Sequence, residues 1–586
     1  MTLIAGIISR DPNSPVSVSS AESLKDLISR NLSDEPIVFQ DKHSYMLKVD
    51  IGAYGETAHT VDEDGTLTLL AGEPLLSDEG GRKSRQADVD SIHNGFIRRD
   101  REVLTKAQGV FCAAHYHSST GTLYLVADKL GLRPIYYWVD DEYVVFASAL
   151  RILEEFAEIP KKMDLRAVTE IVGLSYPLSD RTPYANIFRI KAAEIVEISG
   201  SAISRNKYWS WDDIKPSTES EEDLLKELYD RFDNAVSVRN GSDTATVVYL
   251  SGGLDSRCVA AALHSNGVRM HSFNFARPNS QDQSFGLEYA RQINSIHQEI
   301  PKDPGNHVPD YSSIMAQAWG ESSFRDSLPV ERPAIVWSGE GGSVALGHVH
   351  TTVRIVDLMR AGRTEEAIEA FIEQEFVYLP SKLFRPKIYA RLSGIINRGI
   401  REELVEINAT DPARGFFLFL LLNDQHRKLA NHFENIDLHR LEFQLPFFDS
   451  SFLELIASIP LDYCLKHKLY TKWLDHFHPS VTAVPWQSYP GHEPCPIPPP
   501  PGLTYQWAED FQKKERVSQK KHLAREAWRM VTSTDFPGNI LSKRNLRLAF
   551  CAHATGLRDY GYIIDGARIY YRYSKKCGGR FDIQPD

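Results

Sequence analysis

Cysteine is scarce and unpatterned: six residues in 586 (Cys112, Cys258, Cys464, Cys495, Cys551 and Cys577), with no Cys-x-x-Cys pair. A chain this long does not depend on disulfide staples, so a reducing cytoplasm is the expected compartment. Positive charge is not in excess either. With 66 Lys and Arg against 78 Asp and Glu the net charge is -12, which offers no long-range attraction to nucleic acid or anionic lipid. No apolar run approaches the ~20 residues needed to span a bilayer. The run Gly415 to Leu422 is followed at once by Asn423, Asp424, Gln425, His426 and Arg427 and reads as a buried helix. Met1 to Ile8 lacks the basic start and cleavage site of a secretory signal. No nucleic-acid partner and no membrane are expected, and no internal repeat is visible.

What is present is ordinary globular material, 42% hydrophobic and 25% charged, in a chain too long for one core, so two or more domains are predicted. Up to about residue 206 short β-rich segments alternate with turn signals: Leu3 to Ser9, Tyr45 to Tyr54, Leu67 to Ala71, Val110 to His117, Leu123 to Asp128, Ile135 to Val139 and Val144 to Ser148. A helix is expected around Val89 to Ile97. The polar stretch between Trp209 and Glu222 marks a boundary, with Thr218 and Ser220 as caps for the next helix. Domains are therefore set at 1–207 and 218–586. Past the boundary the rhythm is strand (Thr246 to Leu250), tight turn, helix (Arg257 to Asn266), strand (Met270 to Phe275), which implies a parallel sheet with ligands beyond the strands' carboxyl ends. Beyond residue 350 the period is mostly helical. Pro494 to Pro501 is expected to be an extended surface stretch.

The turn in that rhythm is Ser251-Gly252-Gly253-Leu254-Asp255-Ser256. Two glycines let a backbone approach an anion, and a helix N-terminus with flanking hydroxyls supplies donors and partial positive charge. There is no lysine of the Walker type. A carboxylate at Asp255 is tolerable among phosphates if Mg²⁺ lies between them, so ATP and Mg²⁺ are the expected cofactors. The alternative is a plain strand-to-helix turn with capping Ser and Asp.

This hexapeptide resembles the pyrophosphate loop of the N-type ATP pyrophosphatases. Asp128-Lys-Leu-Gly-Leu-Arg-Pro-Ile-Tyr-Tyr137 with Phe146-Ala-Ser148 resembles the glutaminase-like domain of asparagine synthetases. Three later segments also resemble that family: Phe273 to Asp282, Trp337-Ser-Gly-Glu-Gly-Gly342, and Leu441 to Asp449. The resemblance implies an α/β protein: an N-terminal Ntn-hydrolase-like αββα sandwich, then an adenine-nucleotide α-hydrolase-like (PP-loop) synthetase domain with extra helices. It also implies Gly339 and Asp282 as nucleotide contacts, Glu340 as a metal or amine contact, and Lys472 as a lysine that neutralises developing negative charge. Asp282 reads equally as a turn residue and Glu340 as a solvated loop carboxylate. Lys472 reads also as a surface lysine, with Lys466 and Lys468 competing for the register.

Two departures narrow the activity. A glutamine-hydrolysing member carries Cys at position 2 as an amine-activated nucleophile, where this chain has Thr2; and of the glutamine-binding Asn-Gly-Glu-x-x-Asn, Ala71 to Leu76 keeps only Gly72 and Glu73. The first domain is expected to be a degenerate glutaminase. The nucleophile is then an amine carried by the substrate, as in β-lactam synthetases and lasso peptide cyclases. Glu340 to His350, Val484 to His492 and the length past residue 500 resemble the cyclase branch.

The expectation is an AMP-forming ligase that joins a core peptide's N-terminal amine to an Asp or Glu side chain in a wide cleft. Its partners would be a leader-cleaved precursor peptide and a leader peptidase. An ammonia-using asparagine synthetase, a β-lactam synthetase-like ligase and a non-catalytic nucleotide- or peptide-binding protein stay open as alternatives. His348 and His350 alternate like metal ligands but lack acidic or Cys partners at zinc spacing, so a structural or cleft role is expected. Trp486, Tyr489 and His492 either line the cleft or form a packed loop. The basic stretch Lys513, Lys514, Arg516, Lys520, Lys521, Arg525 and Arg529 is a solvated helix face or a peptide contact.

Overall fold

The computed structural model describes residues 2–11, 14–78, 81–82, 84–301, 311–508 and 523–583. Its N-terminal part is built on two six-stranded antiparallel sheets. The strand Thr2–Ser9 shows why they stack: it is buried throughout, and its alternation sends Leu3, Ala5 and Ile7 to an outer core and Ile4 and Ile8 to the core between the sheets. There Ile4 and Ile8 meet Met46, Leu69, Cys112, Leu125 and Phe146. The helix Val18–Ile28 covers one outer face with Leu24 and Ile28. The helix Arg85–Ile97 covers the other with Val89, Ile92 and Phe96. This is the αββα sandwich.

Local detail corrects the sequence reading in two places. The strand expected over Tyr45 to Tyr54 is Ser44–Asp50, ending where Gly52 turns with φ 75°. The cap of the helix after the boundary is Ser220, whose hydroxyl accepts from the Asp223 amide, and not Thr218.

The second sandwich sheet ends with Ala202–Lys207, and the helix Glu221–Asn240 opens the second part. Its sheet has five strands, in the order Ile296–Glu299, Arg269–Asn274, Ala245–Tyr249, Ile335–Trp337 and Glu442–Gln444, all paired in parallel. Ala245–Tyr249 is central, and its neighbour helix Asp255–Ser265 buries Cys258, Val259, Ala261 and Leu263. The apolar run Gly415 to Leu422 lies inside the helix Pro412–Glu434. No described helix is long and apolar enough to cross a membrane. Pro494 to Pro501 carries no regular element.

The two parts are joined through the motif that begins at Asp128. Its buried carboxylate accepts from the amides of Phe111, Leu130, Leu132 and Arg133, which makes it the nucleus of the turn. Lys129 then reaches Glu454, and Arg133 makes a bidentate bond to Glu442 at 3.1 Å on both nitrogens. The chain also returns to the sandwich at its far end, where Phe581–Asp582 pairs in parallel with Met163–Asp164 and Tyr570 donates to Thr169.

Candidate active site

The loop Ser251 to Leu254 lies at the carboxyl end of the central strand, where the topology of a parallel sheet places ligands. Its backbone is held from within. The Ser251 amide donates to the Ser256 hydroxyl at 3.0 Å and the Gly253 amide to the Ser251 hydroxyl at 3.2 Å. The Gly252 amide donates to Asp282 at 2.6 Å. Asp282 thus organises the loop and also lines the cavity in front of it. A phosphate would meet the amides at the start of the helix Asp255–Ser265, and would have to displace Asp282 to gain that of Gly252.

Asp255 is the most constrained carboxylate in the site. Its Oδ2 accepts from the Ser343 amide at 2.9 Å, and its Oδ1 from the Ser343 hydroxyl at 2.9 Å and the Tyr470 hydroxyl at 2.7 Å. Burial, with the Asp255 charge beside it, pushes the Tyr470 phenol well above its usual range, so it stays a donor. The segment carrying Ser343 comes this close because it is glycine-lined: a Cβ on Gly339 would lie 2.4 Å from the Ser256 nitrogen, and one on Gly342 2.7 Å from the Asp255 carboxyl carbon. Gly339 is thereby placed against the loop.

A cavity of about 220 Å³ opens before the loop. Its wall comes from Ser251, Gly253, Leu254, Asp255, Asp282 and Ser343 together with a later segment carrying Trp486, Gln487, Tyr489, His492 and Trp507, and from His467. That segment is tied down at several points. Buried Arg257 donates to the carbonyls of Val481, Val484 and Pro485, the Gln487 amide donates to the Gly252 carbonyl at 3.1 Å, and Thr504 bridges to Asn279 and Gln281. Trp486, Tyr489 and His492 therefore do line the cavity. These aromatic side chains form the wall facing the loop.

Other residues named from the sequence are placed elsewhere. Lys472 is not brought to the loop: its ammonium pairs with Glu221 on the outside, and the side chain is 57% exposed. Of the three candidate lysines it is Lys466 whose charge reaches a cavity residue, His492. Glu340 lies beside the cavity, where its charge and that of Asp255 add to burial in raising Tyr489 to about 12. His348 is buried and stacked on Phe417 at 4.2 Å, and burial holds its pKa near 3, which removes it as a cleft ligand. His350 bonds Glu375 at 2.9 Å, away from the cavity lining. Of the basic stretch, Lys513, Lys514, Arg516, Lys520 and Lys521 lie outside the described residues; Arg529 pairs with Glu526 on an exposed surface. His467 and Gln487 were not singled out from sequence, since neither sits in a motif with a readable spacing.

Among the described residues no cluster of three or more His, Cys, Asp or Glu side chains is arranged to hold a metal. A Mg²⁺ that arrives with nucleotide phosphates takes one or two protein carboxylates. Asp255, in the cavity wall at the helix start, is the carboxylate suited to it; Glu340 is the second nearby.

In the N-terminal part the position of a glutaminase nucleophile is occupied by a buried polar network. The Thr2 hydroxyl donates to Asp50 at 3.0 Å and accepts from Arg85 at 2.9 Å, while its carbonyl accepts from Arg133. Glu73, one of the two residues kept from the glutamine-binding pattern, accepts from Gln444 of the parallel sheet at 2.9 Å.

Residues 74–209 match a glutamine amidotransferase domain and residues 227–331 an asparagine synthase domain. In these two segments the chain is similar to asparagine synthetases. The amidotransferase match begins after Thr2 and Glu73, so it covers the later strands of the sandwich and neither its first five strands nor the altered nucleophile end.

Among curated relatives, a putative glutamine-hydrolyzing asparagine synthetase 2 of Methanocaldococcus jannaschii is 26% identical over 44% of this chain and 53% of its own. The glutamine-hydrolyzing asparagine synthetase 3 of Bacillus subtilis is 24% identical over 41% of each. The chain thus spans about half or less of these relatives' lengths. A solved structure described as the allosteric regulatory enzyme of purine biosynthesis covers 52% of this chain and 82% of its own at 10% identity with a TM-score of 0.25, too low to bear on the fold.

Proposed function

We propose that this protein is an ATP-dependent, AMP-forming amide ligase, and that its product is a macrolactam closed by an isopeptide bond within a lasso-type core peptide. The observation that carries the ligase reading is the cavity in front of Ser251 to Ser256, with Asp255 held in its wall by Ser343 and Tyr470. The substrate carboxylate attacks the α-phosphorus of ATP, giving an acyl-adenylate and pyrophosphate. An amine then attacks the acyl carbon and AMP leaves. The helix-start amides and the Ser251 and Ser256 hydroxyls bind the pyrophosphate, and Asp255 with the phosphates would hold a Mg²⁺ that neutralises negative charge on the departing group.

The intramolecular amine is supported by the N-terminal network. Thr2 is tied between Asp50 and Arg85, and Glu73 accepts from Gln444, so both residues at the glutaminase position are engaged in structural hydrogen bonds. Holding amine and adenylate together would then be the enzyme's main contribution to ring closure. A precursor peptide freed by a leader peptidase is the partner this reading requires, in the cytoplasm.

An asparagine synthetase fed by free ammonia is a second reading, favoured by the names of the relatives and by a cavity of only about 220 Å³. The deciding experiment is to incubate the protein with Mg-ATP and the leader-cleaved core peptide, with and without ammonium, and record the peptide mass. Loss of one water independent of ammonium, with AMP released, supports the cyclase. A carboxylate-to-amide change that requires ammonium supports the synthetase. No AMP with either peptide or L-aspartate would leave a non-catalytic nucleotide- or peptide-binding protein.

A further inference from the structure

Amide formation from an acyl-adenylate needs a proton acceptor, and the scheme above does not supply one. As the amine nitrogen bonds the acyl carbon it becomes positively charged and must lose a proton before the tetrahedral intermediate collapses. AMP leaves as a phosphate and needs no acid. The two carboxylates nearest the loop are committed, Asp255 to Ser343 and Tyr470 and Asp282 to the Gly252 amide.

The cavity wall holds an unused pair. His467 Nδ1 lies 2.7 Å from His492 Nδ1. Such a contact requires one proton between the rings, carried by one and accepted by the other. His467 is only 3% exposed and stacks on Tyr470 (centroids 5.6 Å apart, 12° between planes) and on Tyr489 (5.3 Å, 22°). Its Nε2 has no partner among the described residues and packs on Gly347, where a Cβ would come within 2.4 Å. The ring is thus fixed on every side, and burial, then His492, then His348, holds its pKa near 3, so it stays neutral. His492 is half-buried and lines the cavity. When its Nδ1–H donates to His467, its Nε2 keeps a lone pair for a ligand.

We propose that His492 is the general base of the amide-forming step and that His467 is the residue that positions it. The inference rests on the amide-ligase reading. The amine lone pair forms the C–N bond, the ammonium proton passes to His492 Nε2, the C–O bond to AMP breaks, and His492 returns the proton to solvent. Neutral His467 accepts from the resulting imidazolium, as the third member of a nucleophile–base–orienter chain does.

The charged and titratable groups around His492 set its behaviour. Lys466 and His467 face it from the segment before it, Tyr489 and Glu493 flank it on its own, and the charges of Asp255 and Glu340 reach Tyr489. Burial, and then the Lys466 cation, hold its pKa below the ordinary histidine value. The free base therefore dominates at neutral pH, and the rate of amide formation should fall as pH drops through a midpoint below about 6.5.

The test separates the two half-reactions in the full-length protein, with Mg-ATP and either the linear core peptide or L-aspartate with ammonium. Hydroxylamine trapping of the adenylate as a hydroxamate reports activation, since this nucleophile needs no protein base; product mass reports amide formation. His492→Gln should lower kcat for the amide by about 10²-fold, leave hydroxamate yield and KM for ATP within twofold, and abolish the acid limb. His492→Ala should regain rate with added imidazole. Lys466→Met should move the limb to higher pH, and His467→Phe should lower amide formation while sparing the hydroxamate. Equal loss of hydroxamate and amide in His492→Gln, or no loss of either, overturns the base assignment while the ligase stands. If the wild-type protein forms neither hydroxamate nor AMP with either donor, the ligase reading itself falls and the base with it.

Discussion

Tyr470 donates its hydroxyl proton to Asp255 across 215 positions of sequence, at 2.7 Å. With Ser343 supplying two more donors, the carboxylate at the start of the loop helix is aimed by segments from two other places in the chain. Asp255→Asn should keep the fold and lose AMP release. Tyr470→Phe, which removes one hydrogen bond to a charged acceptor, should cost about 1.5–3 kcal/mol, read as a lower denaturation midpoint, and raise KM for ATP.

Gly339→Ala should inactivate the protein more severely than its size change implies. The added carbon would stand 2.4 Å from the Ser256 nitrogen, a backbone atom of the loop helix that cannot move aside cheaply. Nucleotide binding measured by calorimetry should be lost, whereas Gly320→Ala, where an added carbon would meet nothing within 4 Å, should leave it unchanged.

The Arg133–Glu442 pair ties the sandwich to the parallel sheet, with both side chains at most 4% exposed. Arg133→Met should destabilise by about 3–5 kcal/mol because it strands a buried carboxylate. Burial pushes Glu442 up, but Arg133 and its neighbours outweigh that and hold it below the usual carboxylate range. The pair's contribution is therefore complete above the unfolded glutamate pKa of about 4.3 and is lost as pH falls through the lower folded value. In Arg133→Met the stranded carboxyl protonates more readily, so the gap between wild type and variant in urea melts should narrow on acidification.

Lys472→Met should leave turnover within about twofold and stability within about 1 kcal/mol, the range of an exposed ion pair, because its ammonium is paired with Glu221 on the outside. A loss of kcat would show instead that the lysine swings into the cavity during the reaction.

The residues of the loop, its strand and its helix are contiguous, and local chemistry is enough to recognise them: a β-branched run, two glycines, an Ala-rich helix. The departures at Thr2 and around Glu73 from the glutaminase pattern were likewise readable, since they are changes of residue type within short motifs. The αββα layering was legible too, because alternation along strands such as Thr2–Ser9 has a period that sequence displays directly.

What closes over the loop was not legible. Lys472 and Lys466 differ by six positions in a segment of broken short helices, where Lys466 and His467 adopt left-handed backbone (φ 59° and 63°) that no periodicity announces. That kink turns Lys472 outward and His467 inward. The aromatic wall was hidden for a similar reason: buried Arg257, one residue past the loop, binds three carbonyls between Val481 and Pro485, and so draws Trp486, Gln487 and Tyr489 to the site. The glycine-rich turn after the central strand and the layers that carry it follow from neighbouring residues, which is why they could be read from the chain. Only the tertiary structure decided which side chains face the cavity, because hydrogen bonds between segments some 90 to 230 residues apart leave no periodic trace in the chain.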